Sequence, residues 1–254
     1  MQRWKLILAY DGTAFHGWQV QPHLPTIQGT LAAAIRDICG EEVLPQGSGR
    51  TDTGVHALGQ VASVELGAPI PAKNFLRALN RKLPPSVRVL VAEHAQADFH
   101  ARHSALRKTY EYRLFSGDIC SPFVGRYAWD CPWPFSLERA QAAARLVIGE
   151  HDFASFAAAD PDLATRMGGE VAPTVRTIFQ SEWRQEDDLF VYRVRGSGFL
   201  HHMVRNLVGT FVDVAAGRLE PETIGQILEK RDRSAAGPTA PAQGLFLMNV
   251  EYPG

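Results

Sequence analysis

The sequence predicts an α+β protein: two mixed α/β subdomains with largely antiparallel sheets flanked by helices, and a ligand cleft between them. Three observations predict this. Segments with a two-residue hydrophobic period alternate with segments of helical period along the chain. Two strand-like runs, Thr177–Trp183 and Leu189–Arg195, flank the turn-forming Gln185-Glu186-Asp187-Asp188, which reads as an antiparallel hairpin rather than a parallel crossover. The 254 residues exceed one average domain and suffice for two. The expected division is 1–103 and 104–254, with the boundary near Ser104.

Each element has a local reason. Trp4–Tyr10 alternates as a strand. Thr26 is a candidate N-cap for a helix that places Ile27, Leu31, Ala34, Ile35 and Ile38 on one face and stops at Gly40. Val61–Leu66 alternates again. Pro71–Leu83 carries Phe75, Leu76, Leu79 and Leu83 at helical spacing and is ended by Pro84-Pro85. Val87–Ala92 and Tyr110–Phe115 read as strands. Ser136 caps a helix through Ile148, closed by Gly149. After the hairpin come helices over Leu200–Ala216 and Pro221–Lys230, then a last strand over Leu245–Tyr252.

Composition narrows the class. Hydrophobic residues make up 45% and charged residues 21%, which excludes a mostly disordered chain. No apolar run approaches the length of a membrane span, and Leu6–Tyr10 is too short for a signal-peptide core, so a cytoplasmic protein is expected. The three cysteines, Cys39, Cys120 and Cys131, are odd in number and lack a CxxC spacing, so reduced thiols are expected rather than a disulfide framework or a zinc site. Net charge is −1. A nucleic-acid partner therefore requires a local basic surface.

Four segments carry candidate chemistry. Gly47–Ala57 surrounds Arg50 and Asp52 with three glycines. Glycine allows close backbone approach, and a carboxylate beside a fixed cation stays ionised, ready to act as nucleophile or base. On composition alone the same stretch reads as a tight turn. It is not a phosphate-binding P-loop, because no Lys follows Gly54. Asp52 and His56 are four apart, but Gly54 argues against a helix joining them. Tyr10–Gln21 combines aromatics, amides and glycines, suited to contacting bases or to plugging a core.

Phe99–Arg113 holds Arg102, Arg107, Lys108 and Arg113 with two histidines against one acid, Glu111. This local basic patch with interleaved tyrosines suits a phosphate backbone. A charged linker entering a strand, with Tyr110 and Tyr112 on one face, fits it too. In Gly196–Asn206, Arg205 falls among apolar helix positions and needs a carboxylate partner. Adjacent residues such as His201-His202 diverge on a helix and rarely chelate one ion, so no metal is expected. His151-Asp152 is reminiscent of a phosphohydrolase dyad but lacks the other ligands, and reads as a helix-terminus loop.

Taken in order, these segments resemble the tRNA pseudouridine synthase A family. The resemblance rests on Tyr10-Asp11-Gly12-Thr13 with Phe15, Gly17-Trp18-Gln19 and Gln21; Thr26-Ile27-Gln28-Gly29; Gly49-Arg50-Thr51-Asp52 with Gly54-Val55-His56-Ala57; and Phe99-His100-Ala101-Arg102. It continues through Tyr110 with Tyr112-Arg113; His151-Asp152-Phe153 with Ser155-Phe156; Arg176-Thr177-Ile178; Gly198-Phe199-Leu200 with Met203-Val204-Arg205; and Ala240-Pro241 with Gly244-Leu245. Each motif is weak alone; their common order over nearly the whole chain is specific.

The resemblance implies the pseudouridine synthase fold and an enzyme that isomerises uridine at tRNA positions 38, 39 and 40. It implies Asp52 as the essential aspartate, Arg50 as the residue that helps extrude the uridine, Tyr110 as the ring stacked on the flipped base, and Arg205 as the partner that orients Asp52. Arg102, Arg107 and Lys108 are the expected phosphate contacts. No metal or organic cofactor, a homodimer and a tRNA partner are implied as well. Thr53, His103 and His201 depart from residues common in the family, and a Gly/Ala/Pro/Asp-rich surface excursion is expected between Phe156 and Arg176. A non-catalytic RNA-binding module and a nucleotide hydrolase are the competing classes.

Overall fold

The computed structural model describes residues 1–159 and 173–253. The expected excursion falls largely on 160–172, outside the described residues. Two compact units are present, one formed by Met1–Lys108 with Phe246–Gly254 and one by Thr109–Leu245. Each mixes helices with mostly antiparallel strands, as the alternation of hydrophobic periods predicts.

In the first unit the strand order is β4-β1-β3-β10, with β2 also on β3; these strands are Val87–His94, Gln2–Tyr10, His56–Leu66, Leu245–Glu251 and Gln46–Gly47 respectively. In β1 every second residue, Trp4, Leu6, Leu8 and Tyr10, is buried, as a two-residue period requires. Two helices complete the unit. Helix α1 (Ile27–Cys39) begins where Thr26 Oγ1 accepts from Gly29 N at 3.3 Å and ends at Gly40 with φ +71°. Helix α2 (Ala72–Lys82) places Phe75 edge-on to Trp4, with ring centroids 4.9 Å apart.

Strand β3 begins five residues before the alternation predicted it. Nearly all of it is buried on both faces, so no alternation marks its start. It is flanked on one side by the antiparallel β1 and on the other by β10, paired in parallel at Phe246↔His56 and Leu247↔Ala57. Gly59 permits this approach: a Cβ there would lie 2.4 Å from the Met248 carbonyl oxygen.

In the second unit the order is β5-β9-β8-β7, namely Arg107–Phe115 (in this unit from Thr109 onward), Leu189–Gly196, Val175–Glu186 and Gly149–Asp152, with β6 (Trp129–Asp130) beside β5. The expected hairpin is β8–β9, turning at Asp187, whose φ is +50°. The His151-Asp152 pair does not form a helix-terminus loop: it lies in β7, antiparallel to β8 with His151 opposite Arg176. A short turn, α3 (Pro122–Gly125), precedes α4 (Leu137–Arg145), capped by Ser136 as expected. Helices α5 (Met203–Ala215) and α6 (Thr223–Lys230) follow. The core gathers Phe153, Phe156, Trp183, Tyr192, Leu207, Val208 and Phe211. Among the described residues no helix is long and apolar enough to cross a membrane. All three cysteines are free thiols, and burial raises the pKa of each.

Candidate active site

Asp52 lies on the connection between β2 and β3, half-buried, in a turn closed by a hydrogen bond from Val55 N to the Asp52 carbonyl at 3.1 Å. Gly54, at φ +79°, makes this turn, so no helix joins Asp52 to His56. The Tyr10–Gln21 segment fits against the same turn. Trp18 N donates to the Thr51 carbonyl at 3.0 Å, and Gly54 N donates to Phe15 O at 3.4 Å. Gly17 has φ +80°, and a Cβ there would sit 2.5 Å from Thr51 O. A Cβ on Gly12 would sit 2.0 Å from Val55 O. These glycines serve backbone contact between two motifs.

Behind the loop lies a buried polar layer. Tyr10 Oη and Thr51 Oγ1 share a hydrogen bond of 2.9 Å. Gln60 donates from Nε2 to Tyr10 Oη at 3.3 Å and to Gly49 O at 3.0 Å, and its Oε1 accepts from Ser48 Oγ at 2.7 Å and from Val61 N at 3.1 Å. Burial pushes the Tyr10 phenol up to about 12. Farther along, Gly12 N donates to His56 Nδ1 at 3.1 Å, which places the neutral ring's proton on Nε2. The same Nδ1 is 3.3 Å from Asp11 Oδ1, a contact that becomes an ion pair only on protonation. The His56 ring stacks on Phe246, with centroids 4.7 Å apart.

The three basic residues expected to meet phosphates stand in different surroundings. Arg102 is exposed on a turn whose buried neighbour, Ala101, receives the Tyr252 hydroxyl at its carbonyl (2.6 Å) and donates its N–H to Ser63 Oγ (3.1 Å). Arg107 lies 3.6 Å from a carboxylate oxygen of Glu251. Lys108 turns inward: its Nζ donates to the Ser48 carbonyl at 2.7 Å. Within the same turn, His100 Nδ1 accepts from Arg102 N at 3.1 Å. Burial first, then the neighbouring His103, Arg3 and Arg102, lowers the His100 pKa.

The second unit holds Tyr110 and Arg205. Tyr110 is on β5, 8% exposed, with its ring edge-on to Phe199 at 5.0 Å. Tyr112, two residues on, donates its hydroxyl to Pro241 O at 2.8 Å. Gly244 must be small because a Cβ there would meet the Tyr112 ring and the Arg113 carbonyl, both at 2.7 Å. Arg205, on the first turn of α5, donates from Nε to Ala240 O at 2.7 Å, and Ala240 N returns a bond to Arg205 O at 3.1 Å. The Ala240-Pro241 and Gly244 motifs thus frame the strand that carries Tyr110 and the helix that carries Arg205. Gly209 allows the 238–240 chain onto α5: a Cβ there would lie 1.7 Å from Pro238 O.

Asp52, Arg50, Arg102, Arg107 and Lys108 therefore belong to the first unit, and Tyr110 and Arg205 to the second. Asp152 has a structural environment. The Thr174 hydroxyl, the Ala154 N–H and Arg231 at 3.1 Å hold its carboxyl below the usual range. Glu111, the single acid of the basic segment, is 5% exposed and accepts from both Arg184 and Arg193 at 2.9 Å. No local motif singles out Gln60 and Ser48. The available signal was a glutamine and serines inside an otherwise apolar strand and its approach, where a buried polar group must find partners.

What this arrangement offers is a half-buried carboxylate on a turn fixed from two sides, with an arginine two residues before it. Comparison with known proteins agrees with the motif order. The family model described as tRNA pseudouridine synthase matches residues 6–104 and 143–253. A tRNA pseudouridine synthase A from Solibacter usitatus is 51% identical over 253 residues, covering 99% of this chain and 100% of that protein. Proteins of the same name from Maridesulfovibrio salexigens and Moorella thermoacetica are 45% and 44% identical, covering 99% and 98% of this chain and 91% and 98% of theirs. With the motif residues interlocked as described and the match spanning the chain, the protein belongs to the tRNA pseudouridine synthase family.

Proposed function

We propose that the protein converts uridine to pseudouridine at positions 38, 39 and 40 of the tRNA anticodon stem-loop. The observation that carries this is the 51% identity along the full length of a tRNA pseudouridine synthase A, together with the fixed Asp52 turn. In the reaction the N1–C1′ bond breaks, the uracil turns, and C5 joins C1′. The C5 proton leaves and N1 gains one. A base inside a stem is out of reach, so it must first be extruded, at a cost of a few kcal/mol.

Asp52 is the catalytic carboxylate. It either attacks covalently or removes a ribose proton to start glycosidic cleavage. Arg50, two residues before it, helps displace the uridine and holds its place in the stem. Tyr110 gives the flipped base a ring to stack on, and Arg205 is the cation assigned to orienting Asp52. Arg102 and Arg107 contact phosphates. The enzyme works as a homodimer in the cytoplasm, with tRNA as partner and no metal or organic cofactor.

Carbodiimide mapping by primer extension on a tRNA transcript treated with the purified protein tests this reading. Stops at positions 38–40 with wild type, absent with Asp52→Asn, are the expected result. Tight binding without any stop makes the protein an RNA-binding module.

A further inference from the structure

Lys108 belongs by sequence to the basic run that begins at Arg102, yet its ammonium sits under the catalytic turn. It donates to Ser48 O at 2.7 Å, and a Cβ on the neighbouring Gly49 would lie 2.9 Å from Nζ. Ser48 is fully buried and held at three points. Its N–H donates to Val61 O at 2.8 Å, its hydroxyl to Gln60, and its carbonyl receives Lys108.

Gln60 is also fully buried, and all four of its hydrogen-bonding positions are used. Its amide orientation is not arbitrary, because Val61 N can only donate and Gly49 O can only accept. Tyr10 extends the layer to Thr51, the residue before Asp52. The backbone is thus pinned at Ser48 and Gly49, and beyond Arg50 the Thr51 side chain is held by Tyr10.

We propose that Lys108, Gln60 and Tyr10 are positioning residues that fix the Asp52 turn from behind. Lys108 thereby serves turnover rather than phosphate binding. The inference rests on the reading of Asp52 as the catalytic carboxylate. Its physical basis is the steep dependence of rate on placement: a shift of about 1 Å in a reacting group can cost on the order of 10²-fold. A phosphate-contacting lysine predicts something else, namely weaker binding and a salt slope shallower by about one.

The test measures two quantities on the full chain. One is the single-turnover release of tritium from C5-labelled tRNA at saturating enzyme. The other is tRNA affinity across a salt series. Wild type, Asp52→Asn, Lys108→Met, Lys108→Arg, Gly49→Ala and Tyr10→Phe are compared, with melting temperatures to confirm folding. Gly49→Ala keeps the lysine charge but pushes its flexible end off Ser48.

Lys108→Met and Gly49→Ala are expected to lower the single-turnover rate about tenfold or more, with affinity and salt slope unchanged. Lys108→Arg is expected to regain part of the rate because it can still donate, and Tyr10→Phe to lose a smaller factor. A wild-type rate in Lys108→Met and Gly49→Ala, with a shallower salt slope in Lys108→Met alone, overturns the inference and returns Lys108 to the phosphate surface. Absence of tritium release from wild type overturns the underlying reading of the site instead.

Discussion

The Asp52 turn and the 99–108 segment lie in the same unit and use similar residues, but they are supported differently. Around Asp52, Ser48 and Gln60 have no exposed surface, and the backbone of the turn is tied to the Tyr10–Trp18 segment. Along 99–108 Ala101 is buried, while the side chains of Arg102, His103 and Leu106 face solvent. Electrostatic contact with a polyanion tolerates a mobile cation; chemistry at one atom does not. A basic residue's role follows from what holds it. Lys108 is adjacent in sequence to the exposed group and belongs by geometry to the held one.

Four substitutions separate the two regions experimentally. Asp52→Asn is expected to cost on the order of 10³-fold or more in turnover, with tRNA affinity retained. A rate within tenfold of wild type breaks the assignment. Gly17→Ala comes next. It forces a side chain into φ +80° and within 2.5 Å of Thr51 O. A stability loss of about 1–3 kcal/mol by urea denaturation is expected, with a fall in activity larger than the population of unfolded protein explains. An unchanged midpoint and rate shows that the two motifs are not mechanically joined.

Arg102→Ala changes the other region. Affinity for tRNA weakens, and the slope of log K against log salt becomes shallower by about one, while the single-turnover rate at saturation stays. A drop in that rate places Arg102 among the positioning groups.

An effect confined to alkaline pH concerns Tyr10, whose phenol is pushed from 10.0 to about 12 by burial. The protonated form is favoured in the folded state. Its contribution is therefore fully present below pH 10 and is lost as pH rises through 10 to 12, an effect on the order of 2–3 kcal/mol. In Tyr10→Phe the loss of stability between pH 10 and 12 is expected to be shallower than in wild type. An identical pH dependence contradicts the burial of the phenol.

Much of this molecule is legible in its sequence because local chemistry decides it. Thr26, Gly40 and Ser136 mark helix ends that the structure keeps, and the alternation of Trp4, Leu6, Leu8 and Tyr10 is the inner face of β1. The start of β3 is not legible, since burial of both faces removes the alternation from His56 to Gln60. Nor is the return of the last strand: β10 pairs with β3, and nothing local to 245–251 announces a partner about 190 residues away. The short β2, β6 and β7 have too few residues for a period to show.

At the site, Arg50 and Asp52 stand out because glycines surround charges. Gln60 and Ser48 do not, because their importance lies in hydrogen bonds across 11 to 12 residues and onward to Tyr10, 50 residues away. The direction of the Lys108 ammonium is a property of tertiary packing, and composition points the other way.

Asp52 is proposed to perform the isomerisation on a turn held rigid for it. Tritium release from tRNA labelled at uridine C5, with Asp52→Asn beside wild type and no metal added, tests it most directly. Release by wild type, none by Asp52→Asn, and equal tRNA binding by both are expected. Equal release by the two proteins would contradict it.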